Sequence, residues 1–278
     1  MNMPSSNSEL NIASIQMVST PSINENLDVA ARLTKVAADN GAQLAVLPEY
    51  FCLMGLKDSD KVHAREVAGS GPIQDRLAAI AQENNIYLVA GTIPLEAKEP
   101  NKVLNTSLVF NPEGKQIARY DKIHLFGFQT ETERYEESET IAAGSEPCHF
   151  TIKVNELEWH FGLSICYDLR FPELYRTIGQ VDCHIIPAAF VYTTGKYHWE
   201  ILLRARAIEN QCYVLSSAQG GLHLNRRRTW GESMLIDPWG EILSNLREGE
   251  GLIQGTLSKD KLKAVSYTHL RAHETGRN

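Results

Sequence analysis

The order of apolar segments along the chain constrains its fold more than any other feature of the sequence. Short apolar runs of strand length, such as residues 11–17, 43–47 and 86–92, alternate with segments of helical spacing, such as 24–40 and 72–84. This alternation predicts an α/β protein with much parallel sheet. The apolar runs outnumber the helical segments. Two sheets packed together, each with helices on its outer face, would account for this ratio of strands to helices.

Composition limits the class of protein further. The chain has 278 residues, 43% of them hydrophobic, which allows one large core. Its net charge of −7, without a long lysine or arginine run, argues against binding to nucleic acid. No apolar run approaches the roughly 18 residues needed to cross a bilayer, and the first ten residues do not resemble a secretory signal. Five cysteines without CxxC spacing favour neither disulfides nor a metal site. We therefore expect a cytoplasmic protein that contacts no membrane and uses no metal or cofactor.

Three chemically capable side chains follow predicted buried strands. Cys166 lies where the strand over 157–165 turns into a short helix, and Glu49 and Lys122 come just past two other strands. Each residue alone has an ordinary reading, as a structural cysteine, an exposed carboxylate or a solvated lysine. Ligands of open α/β sheets bind at the carboxyl ends of strands, so the three side chains could meet there. Together they would supply a nucleophile, a base and an oxyanion stabiliser for acyl transfer through a thioester.

Five segments of the sequence resemble the nitrilase superfamily of carbon–nitrogen hydrolases, in the order that the family has them. They are Leu47–Tyr50 (LPEY), Tyr120–Phe126 (YDKIHLF), Ser164–Leu174 (SICYDLRFPEL), His198–Glu209 (HWEILLRARAIE) and Asp237–Gly240 (DPWG). The resemblance covers residues 10–265, which we expect to form one carbon–nitrogen hydrolase domain. It implies a four-layer αββα sandwich that assembles into a homodimer or a higher homo-oligomer. It also implies a Glu-Lys-Cys triad, carried here by Glu49, Lys122 and Cys166.

A second glutamate between the lysine and the cysteine often assists catalysis in this family. The acidic segment over 135–140 occupies that region, and Glu137 is the best match. Glu136 and Glu139 remain alternatives, and the ordinary reading of all three is a solvated acidic loop.

The resemblance also implies a mechanism. Glu49 takes the proton of Cys166, and the thiolate attacks an amide carbonyl. Lys122 and the backbone N–H of Tyr167 hold the oxyanion, and the field of Lys122 should favour the thiolate. Water activated by Glu49 then hydrolyses the thioester.

The residues around the predicted nucleophile indicate the branch of the superfamily. Tyr167-Asp168 follows Cys166, which looks like the amidase side, and the later segments are most similar to the deaminated glutathione amidase and ω-amidase group. That group implies a small anionic amide substrate and therefore a cationic rim, for which Arg170 and Arg226–Arg228 are candidates. The remaining candidates for substrate binding are Tyr50, Tyr167, Phe190 and His198. Residues 127–134 depart from the animal members of the family, which leaves the exact substrate open.

Two alternatives remain from other functional classes. One is a hydrolase of nitriles or N-carbamoyl amino acids on the same triad. The other is a catalytically silent interaction module, although the intact Glu-Lys-Cys set argues against it. A cysteine protease has less support, because no motif places a histidine beside Cys166.

The C-terminus departs from the family pattern. Residues 266–278 have no sustained apolar periodicity and look like a translated sequencing-adapter tail. We predict that they are not native and that an arm packing across the dimer interface is missing. The alternative is a genuine frayed terminus.

Overall fold

The structure is a computed structural model that describes residues 8–129, 131 and 134–268. Its strands are β1 Glu9–Gln16, β2 Leu44–Val46, β3 Tyr87–Val89, β4 Ile93–Glu96, β5 Val103–Phe110, β6 Gln116–Asp121, β7 Gly127–Gln129, β8 Arg134–Glu136, β9 Ile141–Ala142, β10 Cys148–Val154, β11 Leu157–Leu163, β12 Cys183–Ala188, β13 Tyr213–Ala218, β14 Ser233–Ile236, β15 Ile242–Leu246 and β16 Gly251–Ser258. Its α-helices are α1 Ile23–Asp39, α2 Asp60–His63, α3 Pro72–Glu83, α4 Pro172–Ile178, α5 Tyr192–Asn210 and α6 Lys259–Thr268. Short 3₁₀ turns cover Glu137–Glu139 and Cys166–Arg170.

Two mixed sheets form the centre of the protein. The first has the order β16-β1-β2-β3-β5, and β4, β6 and β9 also pair with β5. The second runs in sequence order from β10 to β15. The sheets lie face to face, and buried serines join them: the Ser14 hydroxyl donates to the Ser216 carbonyl (2.7 Å) and the Ser217 hydroxyl to the Ile15 carbonyl (2.6 Å). Helices α1 and α3 pack outside the first sheet, and α4 and α5 outside the second. The predicted four-layer αββα sandwich is therefore confirmed.

Helix α1 illustrates how local sequence produces these elements. The Ser22 side chain accepts the backbone N–H of Glu25 and caps the first turn. Leu27 and Leu33 lie on its buried face, and burying a leucine side chain fully contributes about 1.5–3 kcal/mol. The helix ends before Gly41, whose φ of 87° is accessible to glycine without a steric penalty.

Strand direction brings several carboxyl ends to one place. Strands β1, β2 and β3 are parallel to one another, and β6 has the same direction because it is antiparallel to β5, which is antiparallel to β3. In the second sheet β11, β12 and β13 are parallel. A parallel bridge between Met17 and Gln219 joins the ends of β1 and β13. The carboxyl ends of β2, β6, β11 and β12 therefore open on the same end of the sandwich.

The C-terminal residues extend the last helix. Helix α6 continues to Thr268, so residues 266–268 of the suspected tail continue it, whereas 269–278 lie outside the described residues. That the tail is not native stays a prediction. In the described part of the chain, the helices include none that is both long and apolar enough to cross a membrane.

Candidate active site

Cys166 stands at the start of a strained turn. It follows β11 and has a φ of 49°, a left-handed conformation that is costly for a residue with a side chain. The residue is 7% exposed and lies in the wall of a small cavity. The other residues that line this cavity are Phe126, Glu137, Tyr167, Ala189, Phe190, Val191, Thr194 and Arg227. Tyr50, which follows Glu49, has a similar left-handed φ of 55°, so such strain accompanies both the predicted nucleophile and the predicted base.

Glu49 is held by donors on both carboxylate oxygens. Its Oε1 accepts hydrogen bonds from Lys122 Nζ (2.8 Å) and Asn105 Nδ2 (2.9 Å). Its Oε2 accepts the backbone N–H of Ala189 (2.8 Å), the residue directly after β12. The Glu49 side chain is fully buried, so these bonds set its orientation. The sequence offered no signal for Asn105 or for the Ala189 backbone.

Lys122 lies between two carboxylates. Its Nζ is 2.8 Å from Glu49 Oε1 and 2.8 Å from Glu137 Oε2, and its side chain is fully buried. Burial lowers the pKa of Lys122, but Glu137 and Glu49 outweigh burial, and the pKa is raised above its ordinary value. Burial raises the pKa of Glu137, but Lys122 and hydrogen bonds outweigh burial, so this pKa is lowered below its ordinary value. The cluster therefore holds a charged ammonium against the charged carboxylate of Glu137.

The structure distinguishes the three candidate glutamates. Glu137 enters the site, where its Oε1 accepts the Tyr50 hydroxyl (2.7 Å) and its Oε2 accepts the Phe126 backbone N–H (2.8 Å). Glu136 and Glu139 are exposed and contact Ser138 and Arg134, respectively, on the surface. Glu137 is thus the one of the three that reaches the lysine.

The thiol of Cys166 is neutral in this environment. Burial raises the pKa of Cys166 well above its ordinary value, Glu49 raises it further, and Lys122 acts in the opposite direction. Lys122 favours the thiolate, as expected, but burial and Glu49 together raise the pKa of Cys166 by more than Lys122 lowers it. Attack by this sulfur therefore requires a base that takes the proton as the new bond forms, and Glu49 belongs to the same cluster.

Asp168 connects the segment that carries the lysine to the turn that carries the cysteine. Its Oδ2 accepts the Tyr120 hydroxyl (2.7 Å) and the backbone N–H of the residue before Cys166 (2.9 Å). Its Oδ1 accepts the His124 backbone N–H (2.9 Å) and lies 2.7 Å from His124 Nδ1. Tyr120 and His124 flank Lys122 in the chain, so one buried carboxylate holds both segments in place. A signal was available in the sequence, since Asp168 stands two residues after Cys166.

The predicted substrate-binding residues fall into two groups. Tyr167 and Phe190 line the cavity, and Tyr50 is bonded to the second glutamate. The Arg170 guanidinium lies over the rings of Tyr167 (5.7 Å) and Phe190 (5.3 Å) and contacts His198 Nδ1 (3.1 Å). Arg170 and His198 are not among the residues that line the cavity. They lie behind its aromatic wall.

Only the middle residue of the Arg226–Arg228 run lines the cavity. Arg226 and Arg228 are exposed, and Arg228 forms a surface ion pair with Glu248 (3.3 Å). Arg227 Nη2 donates to the Ala189 carbonyl (2.9 Å). Within the described residues no group of three or more His, Cys, Asp or Glu side chains is placed to hold a metal ion.

Comparisons with known proteins agree with this geometry. The sequence model of the carbon–nitrogen hydrolase family matches residues 11–267. The chain is 41% identical over 259 residues to the deaminated glutathione amidase of Synechocystis sp., covering 91% of this chain and 93% of that protein. It is 35% identical over 255 residues to the omega-amidase NIT2 of Xenopus tropicalis, covering 90% of this chain and 89% of that protein.

Solved structures show the same relationship. Nit3 of Saccharomyces cerevisiae, a member of branch 10 of the nitrilase superfamily, superposes with a TM-score of 0.84 at 30% identity over 97% of both chains. A variant of the amidase from Nesterenkonia sp. AN1 superposes with a TM-score of 0.78 at 25% identity, covering 94% of this chain and 95% of that chain. That variant carries the acetamide moiety of fluoroacetamide, added covalently at its active-site cysteine. With a family match over nearly its whole length, this chain belongs to the carbon–nitrogen hydrolase family of the nitrilase superfamily.

Proposed function

We propose that this protein is an amidase that hydrolyses the linear amide of a small anionic acid through a thioester on Cys166. The observation that carries the proposal is the buried ion cluster in which Lys122 bridges Glu49 and Glu137 beside the Cys166 cavity. The family match and the amidase names of the relatives support the reaction class.

The first half-reaction forms the thioester. Glu49 takes the Cys166 proton while the sulfur attacks the amide carbon, and the carbonyl oxygen becomes an oxyanion. Lys122 and the backbone N–H of Tyr167 stabilise that charge. The carbon–nitrogen bond then breaks, and the nitrogen takes the proton from Glu49 and leaves as ammonia or an amine.

The second half-reaction releases the acid. Glu49 takes a proton from water, and the hydroxide attacks the thioester carbon. The carbon–sulfur bond breaks, and the Cys166 sulfur recovers the proton. Glu137 does not exchange protons in this scheme. It positions Lys122, and its own position is set by the hydroxyl of Tyr50 and the backbone N–H of Phe126.

The substrate class follows from the relatives. Deaminated glutathione amidases and an omega-amidase are similar to this chain over most of its length. We propose deaminated glutathione or a related ω-amide as the substrate.

A homodimer in the cytoplasm is part of the same proposal. Helix α5 leaves Tyr197 (64% exposed), Ile201 (68%) and Ile208 (45%) on its surface, at spacings of one and two helical turns. An exposed apolar stripe of this kind marks interfaces between proteins. All five cysteines are free thiols, as is usual in a reducing compartment. Sedimentation velocity at micromolar concentration tests the dimer, and a single monomer peak would contradict it.

Ammonia release from a substrate panel tests the proposed activity. The panel contains deaminated glutathione, α-ketoglutaramate, neutral amides, a nitrile and an N-carbamoyl amino acid. Cys166→Ala should lower turnover by about 10⁴-fold or more, whereas the matched control Cys148→Ala should not. Mass spectrometry of the wild-type protein during turnover should find an acyl group on Cys166. Nitrile or carbamoyl turnover above amide turnover, or a tenth of wild-type activity in Cys166→Ala, would refute the proposal.

A further inference from the structure

One cation in the cavity wall has hydrogen-bonding capacity that the protein does not use. Arg227 lines the cavity with Cys166, and its Nη2 donates to the Ala189 carbonyl (2.9 Å). Its Nε is buried and has no hydrogen-bond partner among the described residues. A guanidinium has five N–H donors, and a buried donor without an acceptor is unfavourable. Lys122, by contrast, is already bonded to two carboxylates.

Two aromatic rings flank the guanidinium of Arg227 and leave its donors free. The guanidinium carbon lies 5.8 Å from the centre of the Tyr50 ring and 5.2 Å from that of Tyr135. A cation–π contact uses the faces of the rings, whereas the N–H donors lie in the guanidinium plane. The rings therefore contact the charged group without accepting its hydrogen bonds, and the Nε donor stays unpaired among the described residues.

The charges of the site favour an anionic partner for this group. The carboxylates of Glu49 and Glu137 are both bonded to Lys122, and among the described residues no carboxylate forms an ion pair with Arg227. A neutral amide adds no charge to this arrangement. An anionic amide brings a carboxylate into a buried space, where it needs a cation with donors to spare.

The other cations near the site are already engaged or point elsewhere. Arg170 stacks behind the aromatic wall and contacts His198. Lys61 Nζ contacts Thr140 Oγ1 (3.2 Å) and Asp58 (3.5 Å), and it does not line the Cys166 cavity.

From these observations we infer that Arg227 binds the distal carboxylate of the substrate and sets the preference for anionic over neutral amides. The inference rests on the proposed amidase function and assigns its specificity to one residue. A linear acid amide would place its amide carbon at Cys166 and its carboxylate against the guanidinium edge, which can bind both oxygens at once.

Matched substrates and matched variants test this assignment. The substrates are glutaric acid monoamide, which is anionic, and pentanamide, which is neutral and has the same number of carbons. The variants are Arg227→Gln, Arg227→Lys and the adjacent exposed control Arg226→Gln. The readout is the ratio of kcat/KM for the anionic amide to kcat/KM for the neutral amide, measured by ammonia release.

We expect Arg227→Gln to lower this ratio by on the order of 100-fold, mainly through KM for the anionic amide. Arg227→Lys keeps the charge but not the planar pair of donors, so its ratio should fall by about tenfold. The control Arg226→Gln should change the ratio by less than about twofold. Melting temperatures verify that the variants fold. If Arg227→Gln does not fold, Arg227→Lys alone decides the question.

Three results would overturn the inference, and they are distinguishable. An unchanged ratio in the Arg227 variants would mean that another group binds the carboxylate. An equal loss on both amides would mean that Arg227 serves the reaction or the fold. If the wild-type protein released no ammonia from these two amides, from deaminated glutathione or from α-ketoglutaramate, the proposed function would fail, and this inference with it.

Discussion

Replacing Lys122 by methionine should weaken the fold as well as abolish catalysis. Methionine keeps the length of the side chain but removes the charge that lies 2.8 Å from both Glu49 and Glu137. The Glu49 side chain is fully buried and that of Glu137 is 10% exposed, so water cannot replace the ammonium. Removing one partner of a buried ion pair costs about 3–5 kcal/mol, which corresponds to a loss of about 10 °C in Tm for a domain of this size.

The pH dependence of this loss provides the sharper test. In the wild-type protein Lys122 holds the pKa of Glu137 low, so its contribution to stability is present above about pH 4.3 and lost as the pH falls below that value. In Lys122→Met two neighbouring buried carboxylates face each other, and a raised pKa lets one of them keep a proton. The variant should therefore lose stability as pH rises, by up to about 1.4 kcal/mol per pH unit.

Urea unfolding at pH 5 and pH 8 measures both effects. The free energy of unfolding of Lys122→Met should fall further below that of the wild type at pH 8 than at pH 5. Adding Glu137→Gln should recover stability without recovering activity, because one uncompensated carboxylate is gone. Lys35→Met is the matched control, since Lys35 pairs with Asp39 at 2.8 Å on the exposed face of α1, and its cost should stay below about 1 kcal/mol. An equal loss at both pH values, or no recovery in the double variant, would refute the reasoning.

Three further predictions concern the reacting groups and the C-terminus. Glu49→Gln and Lys122→Arg should each lose nearly as much amidase activity as Cys166→Ala, and the Glu49→Gln/Lys122→Arg double variant should be little worse than either; fully additive losses would show that the groups act separately. The rate at which iodoacetamide alkylates Cys166, measured by peptide mass spectrometry, should still rise from pH 7 to pH 9, because burial and Glu49 raise the pKa of the thiol. A rate that no longer rises above pH 7 would contradict this. Deleting residues 266–278 should leave activity unchanged, and a loss of more than about 4 °C in Tm would show that these residues pack against the domain.

Local pattern was sufficient for the inner strands and for the positions of three reactive side chains. Strands β1, β2 and β12 are short apolar runs whose burial is nearly complete, so hydrophobicity alone marks them. The resemblance that covers residues 10–265 predicted the four-layer sandwich. Glu49 and Cys166 were recognisable because each follows a strand whose last residues are buried, whereas Lys122 follows β6, which is mostly not buried; the strand directions bring all three together.

The bounds of strand β10 and of helix α5 could be defined only from the tertiary structure. Strand β10 alternates buried and exposed residues, and its pairing with β11 rather than its own composition defines it. Helix α5 begins at Tyr192 and continues through Gly195, although glycine disfavours a helix locally. A Cβ at Gly195 would come within 2.4 Å of the Trp230 Cβ, so the close approach of Trp230 requires glycine inside the helix.

The choice among neighbours of the same type was also beyond the sequence. The acidic run over 135–140 and the basic run Arg226–Arg228 each contain several equivalent candidates. Glu137 reaches Lys122 because its turn packs against Tyr50 and the Phe126 backbone, and the residues on either side of it point to solvent. The middle arginine lies in the cavity wall, between the left-handed turn residue Arg226 (φ 67°) and Arg228, which pairs with Leu222. Composition and spacing thus determined which kinds of groups meet at the site, and only the packing of distant segments decided which member of each run is buried there.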